Sequence, residues 1–167
     1  MFNELTPIFQ EIDNHSKTNS NPQNKMSPTQ PSTKRKIRSD KGHNVKFPVS
    51  SELQRQFKTS RKRCLTLFPE FRDKIKQTKY NTLLLSYALD HLDIVDWDLP
   101  YSDSLQYMHT QLPEYRYKEI GGLYGIADEH NLSSRKCVYM MVVSALKEIE
   151  RTEAYYEILQ QIRAAKK

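Results

Sequence analysis

The order strand, helix, helix is written into this chain twice, and that repetition limits its fold more than any other feature. One strand and two helices cannot bury their own apolar faces, so two such units are expected to complete one core between them. The first unit opens at Asn44, where Val45, Phe47 and Val49 alternate with Asn44 and Lys46 as in a half-buried strand. Pro48 cannot donate to a ladder on both sides, so this strand is expected to be short and to lack a neighbour on one edge. Ser51-Glu52-Leu53-Gln54 matches a capping box and predicts a helix start. Leu53, Phe57, Cys64 and Leu67 keep one apolar face as far as Pro69, and Phe71 and Ile75 suggest a further short turn. A connection is expected at Gln77 to Tyr80, then a helix from near Asn81 with Leu85, Ala88, Leu89 and Leu92 inward.

The second unit follows the same order. Met108, Thr110 and Leu112 alternate with Tyr107, His109 and Gln111, and Pro113 stands where a helix can open. Ile120, Leu123, Ile126 and Ala127 continue an inner face, Asn131 is a helix stop, and Ser133 or Ser134 caps the next helix. That helix carries the stripe Val138, Met141, Val142, Ala145 and Ile149. Laying SYALDHL (86 to 92) on VSALKEI (143 to 149) aligns Ala88 with Ala145, Leu89 with Leu146 and Leu92 with Ile149, an offset of 57 residues. Matching the strands gives an offset of 63, so the first unit should hold a helix connection six residues longer.

Around these units the segments are 1–42 as a flexible basic arm, 43–93 and 105–151 as the two units, 94–104 as a linker and 152–167 as a C-terminal helix extension. The arm is rich in Ser, Thr, Asn, Gln and Pro, which cannot offset the entropy of folding. Its first residues, Phe2, Leu5, Ile8, Phe9 and Ile12, recur at helical spacing and suit either a docking turn or a frayed end. Basic charge concentrates from Lys34 to Arg63, where eleven Lys and Arg face only Asp40 and Glu52, an excess larger than the +6 of the whole chain. Lys34, Arg35, Lys36 and Arg38 begin this run in the arm, and it continues through the strand and the first helix. Such a run is either a solvated face or a path for phosphates, and the pI near 9.2 favours a polyanionic partner, nucleic acid ahead of an acidic membrane surface.

Other chemistry is poorly supported. Cys64 and Cys137 are far apart in helical patterns, so neither a disulfide scaffold nor a cysteine zinc site is expected. His43, His91, His109 and His130 share no ligand spacing with them, so no metal or other cofactor is implied. Gly121-Gly122 lacks the features of a phosphate loop and instead suits close helix packing or a kink. With no nucleophile-and-base arrangement, the chain reads as a non-enzyme without catalytic residues. No apolar run approaches the ~20 residues of a spanning helix. The N-terminus has no secretory pattern either, so a soluble, cytoplasmic protein is expected.

The stretch LPEYRYKEIGGLYGIADEHNLSSRKCVYMMVVSALKEI resembles the Arc/MetJ/CopG ribbon-helix-helix family, and VKFPVSSELQRQF through LLLSYALDHL matches it more loosely. The resemblance covers about Asn44 to Arg151; Pro48 and the long PEFRDKIKQTKY connection depart from it. It implies a mainly α fold with a short β-ribbon, here a tandem ribbon-helix-helix in which one chain supplies both strands. The implied function is sequence-specific reading of double-stranded DNA, as a transcriptional repressor or a plasmid replication, transfer or partition accessory. By matched position, Asn44, Lys46, Tyr107, His109 and Gln111 would face base edges in the major groove. Asn81, Thr82, Ser133 and Ser134 would offer helix-start amides to phosphate, with Arg135 adding charge. The arm would add affinity or touch a partner ATPase or a replication or relaxation protein, and copies of the chain would associate on DNA.

Two other readings stay open. IADEHNLSSRKCVYM also suits a helix-turn-helix whose recognition helix spans Ser133 to Met140. Tyr155, Tyr156, Leu159 and Ile162 form a C-terminal stripe that suits a helical protein-interaction adaptor, or a dimer or tetramer contact of a DNA binder.

Overall fold

The computed structural model describes residues 42–164. The expected arm, with Phe2, Leu5, Ile8, Phe9, Ile12, Lys34, Arg35, Lys36 and Arg38, lies outside the described residues. The chain runs β1 (Gly42–Pro48), α1 (Ser51–Leu67), a 3-10 turn (Pro69–Phe71), α2 (Gln77–Asp90), a second 3-10 turn (Leu92–Ile94), β2 (Tyr107–Pro113), α3 (Glu114–Gly121), α4 (Ile126–Glu129), α5 (Ser134–Thr152) and α6 (Tyr155–Ala164). It is mainly helical, with one two-stranded antiparallel sheet made by β1 and β2.

The two offsets recur in the element starts. α1 begins at Ser51 and α3 at Glu114, 63 residues apart; α2 begins at Gln77 and α5 at Ser134, 57 apart. The six extra residues of the first half therefore lie between the starts of its two helices, and not in the longer connection expected: α1 has 17 residues against 8 for α3. Packing is crosswise: α2 lies against α5 and β2, while α5 also lies against β1. Each half thus covers the strand of the other. Phe47 and Val45 of β1, Met108 and Leu112 of β2, and the inner faces of both long helices share one core. Ala88 and Ala145, both fully buried, put small side chains on the two central helices.

Several local expectations need correction. The cap of α1 is Ser50, whose hydroxyl accepts from the Leu53 amide at 3.1 Å, and Gln54 instead accepts from Lys58 Nζ. Leu67 is exposed and Leu65 is buried in its stead, and the buried face of α1 also includes Ser60. The Ser60 hydroxyl meets that of Tyr80 at 2.8 Å, so a polar residue is tolerated on the apolar face. α2 starts at Gln77, four residues before the expected start, and Leu92 falls beyond its end and is exposed. Leu123 is also exposed, because the helix of the second half breaks after Gly121. A Cβ at Gly122 would overlap the Lys118 carbonyl oxygen, so only glycine lets the chain turn back there.

The segment 94–104 carries a connection, but a pinned one. Val95 and Leu99 are buried, Tyr139 donates to the Pro100 carbonyl at 3.1 Å, and Trp97 stacks on His130 at 3.8 Å. The C-terminal stripe divides: Tyr155 and Leu159 are buried and Ile162 is half-buried, with α6 packed on α2, while Tyr156 is exposed. Two of its four residues therefore serve the chain's own core in place of the open assembly face read from the sequence.

A two-stranded sheet has two open edges, and the fold treats them differently. The Val49 amide donates to Gln106 oxygen, which fixes the alternation and turns the amides of residues 48 and 111 outward from the ribbon. Thr82 accepts from the Gln111 amide at 2.8 Å and Asn81 donates to the His109 carbonyl at 3.0 Å. Pro48 occupies the position that matches Gln111 under the 63-residue offset, and it has no N–H to satisfy. Thr82→Val should remove the acceptor and cost about 1 kcal/mol or more in urea unfolding. An unchanged midpoint would show that water replaces it.

Candidate nucleic-acid interface

The strand register sets Asn44 opposite Gln111, Lys46 opposite His109 and Pro48 opposite Tyr107. These pairs alternate with Val45, Phe47, Met108, Thr110 and Leu112, which point inward and are buried, so they fall on the other face, where Pro48 alone of the six is buried. Asn44, Lys46, Tyr107 and Gln111 are exposed and His109 is half-buried. All five residues predicted to face bases are therefore brought onto one ribbon surface. His109 Nδ1 lies 3.3 Å from Asn44 Oδ1 and must be the donor there, since the amide oxygen can only accept.

The expected phosphate contacts divide. Ser133 caps α5 by accepting from the Lys136 amide at 3.2 Å, Ser134 opens the helix and Arg135 is exposed beside it. Burial raises the Tyr101 hydroxyl above its ordinary pKa and Asp103 raises it further, while Arg135 lowers it. Tyr107 also acts on Tyr101, so the start of α5 and that end of the ribbon share a neighbourhood. Asn81 and Thr82 do not belong in this set. They are 1% and 5% exposed, one turn inside α2, and committed to the backbone of β2.

The start of α2 lies instead at Lys76, Gln77 and Thr78. Applying the 57-residue offset to Ser134 gives Gln77, so the signal was present in the repeat. Lys76, Thr78 and Lys79 line a groove of about 970 Å³ together with Gln111 and Gly42. Arg116 on the same groove is held by Asp90 at 2.6 Å and Glu119 at 3.2 Å. No ion pair among the described residues engages Lys76 or Lys79, which leaves their charge for an anion. On α1, Arg55, Lys58, Lys62 and Arg63 are exposed, whereas Arg61 turns inward and donates to the Ile75 carbonyl at 3.0 Å. Arg61 therefore drops out of the basic path.

Both thiols are fully buried. Burial pushes Cys64 up to about 11 and Cys137 up to about 12, so neither holds thiolate near neutrality. Iodoacetamide at pH 8 should label neither cysteine in the native protein and both after urea unfolding; fast native labelling would contradict this packing. Among the described residues no group of three His, Cys, Asp or Glu is placed to hold a metal ion. No helix among them is long and apolar enough to cross a membrane. Comparison of the chain with family models, curated proteins and solved structures gave no match.

Proposed function

We propose that this protein is a sequence-specific double-stranded DNA binder built as a tandem ribbon-helix-helix, with its β-ribbon as the element that enters the major groove. The observation that carries the reading is the ribbon itself. It is two antiparallel strands from one chain, with five residues of hydrogen-bonding or aromatic character on the outer face. A major groove of about 12 Å admits such a ribbon. Helix starts flank it: Lys76 and Lys79 line a groove with Gln111, and Arg135 stands at the start of α5. There the amides and dipole favour phosphate.

The role suits a repressor or a plasmid replication, transfer or partition accessory. The arm carrying Lys34, Arg35, Lys36 and Arg38 would supply further phosphate affinity or engage a partner ATPase. The helix-turn-helix alternative fits less well. Cys137, Val138 and Met140 of the would-be recognition helix are buried, and the helix before it has four residues. The adaptor alternative loses part of its support because Tyr155 and Leu159 of the α6 stripe are buried within the chain.

Fluorescence anisotropy against random duplex and duplex from the protein's own upstream region, at several salt concentrations, tests the proposal. Expected is binding that weakens with salt and is ~10³-fold or more tighter on the cognate duplex. Absence of binding at low salt would overturn DNA binding in favour of the adaptor.

A further inference from the structure

Resting on the DNA-binding reading, we infer that the ribbon recognises a non-palindromic duplex and specifies adenine through Gln111 at one end only. A ribbon of two identical strands would present the same pair at both ends. Here the 63-residue offset makes Asn44 equivalent to Tyr107, Lys46 to His109, and Pro48 to Gln111. One end therefore pairs Asn44 with Gln111, the centre pairs Lys46 with His109, and the other end pairs Pro48 with Tyr107.

The hydrogen-bonding capacity of these ends differs. The Gln111 carboxamide is exposed and makes no side-chain hydrogen bond to the described residues. Its oxygen and nitrogen match the N6 donor and N7 acceptor of adenine in the major groove. Asn44 stands at the same end with its Oδ1 already accepting from His109 at 3.3 Å, so its carboxamide is tied to the ribbon while that of Gln111 is not. Pro48 is buried and has no donor, and Tyr107 carries a single hydroxyl, so the opposite end has no two-bond reader.

Two features aim Gln111. Its amide is held by Thr82 at 2.8 Å, which fixes the backbone. Its side chain lies over Gly42, where a Cβ would come within 2.7 Å of Gln111 Cγ. Gly42 is thus a positioning residue, since any side chain there would displace the carboxamide. Lys76 and Lys79 line the groove at this same end, so the adenine-reading end is also the lysine-rich one.

Selection of the full chain on a randomised duplex library, repeated with Gln111→Ala and Gly42→Ala, tests the inference. The enriched sequence should differ from its reverse complement. Gln111→Ala should lower adenine preference at one position by about 10-fold while leaving the other positions and the melting temperature in place. Gly42→Ala should weaken preference at that same position. A palindromic consensus, or a preference untouched by Gln111→Ala, would overturn the inference. Salt-dependent binding with no enriched sequence would overturn it and leave DNA binding standing, whereas no binding at low salt would remove both.

Discussion

Phe47→Ala is expected to destabilise the protein by about 3–5 kcal/mol, a large part of the ~5–15 kcal/mol that holds a domain together. Phe47 is fully buried on the ribbon's inner face opposite Met108, and its ring meets Phe57 of α1 edge-on at 6.0 Å. Truncation would open a cavity between strand and helix that neither can close without shifting the register. Urea unfolding reads the loss directly; a change below about 1 kcal/mol would mean that the ribbon is not part of the core.

Lys46→Ala should have the next largest effect, on binding rather than folding. Lys46 is the exposed cation of the central ribbon pair, and loss of a base contact of this kind costs ~1–3 kcal/mol, or roughly 5- to 150-fold in affinity. Its melting temperature should stay unchanged because the side chain projects away from the core. Lys136→Ala, at the half-buried start of α5, should have the smaller effect. Should the order reverse, with Lys136 dominating and Lys46 silent, the reading element would be α5 and not the ribbon.

The ribbon and its outward set were legible because a period of two puts alternate side chains on opposite faces, and both strands keep that period cleanly. The internal offsets were legible too, since Ala88 and Ala145 lie at the same step of two buried helices. What escaped was set by tertiary demand. Asn81 and Thr82 look like residues of a helix start, but their polar groups serve an open strand edge, a need invisible until β2 lies beside α2. Lys76 and Lys79 were passed over because α2 begins without a side-chain cap, so nothing local marks its first turn. The α6 stripe reads equally well as an assembly face or an internal one, and only the packing of α6 on α2 turns Tyr155 and Leu159 inward.

Because both strands belong to one chain, the ribbon forms without a partner. Val45 and Thr110 meet across a separation of 65 residues, so closing the ribbon is a unimolecular event. A ribbon shared by two chains dissolves on dilution, whereas this one keeps its strands at a fixed effective concentration however few copies are present. The cost is kinetic. α1, α2 and the pinned connection all lie between the strands in the chain, and such non-local closure slows folding. A nascent chain that has not yet reached β2, Tyr107–Pro113, has no ribbon at all, so the outer face of β1 gains its partner strand only after α1 and α2 have been made.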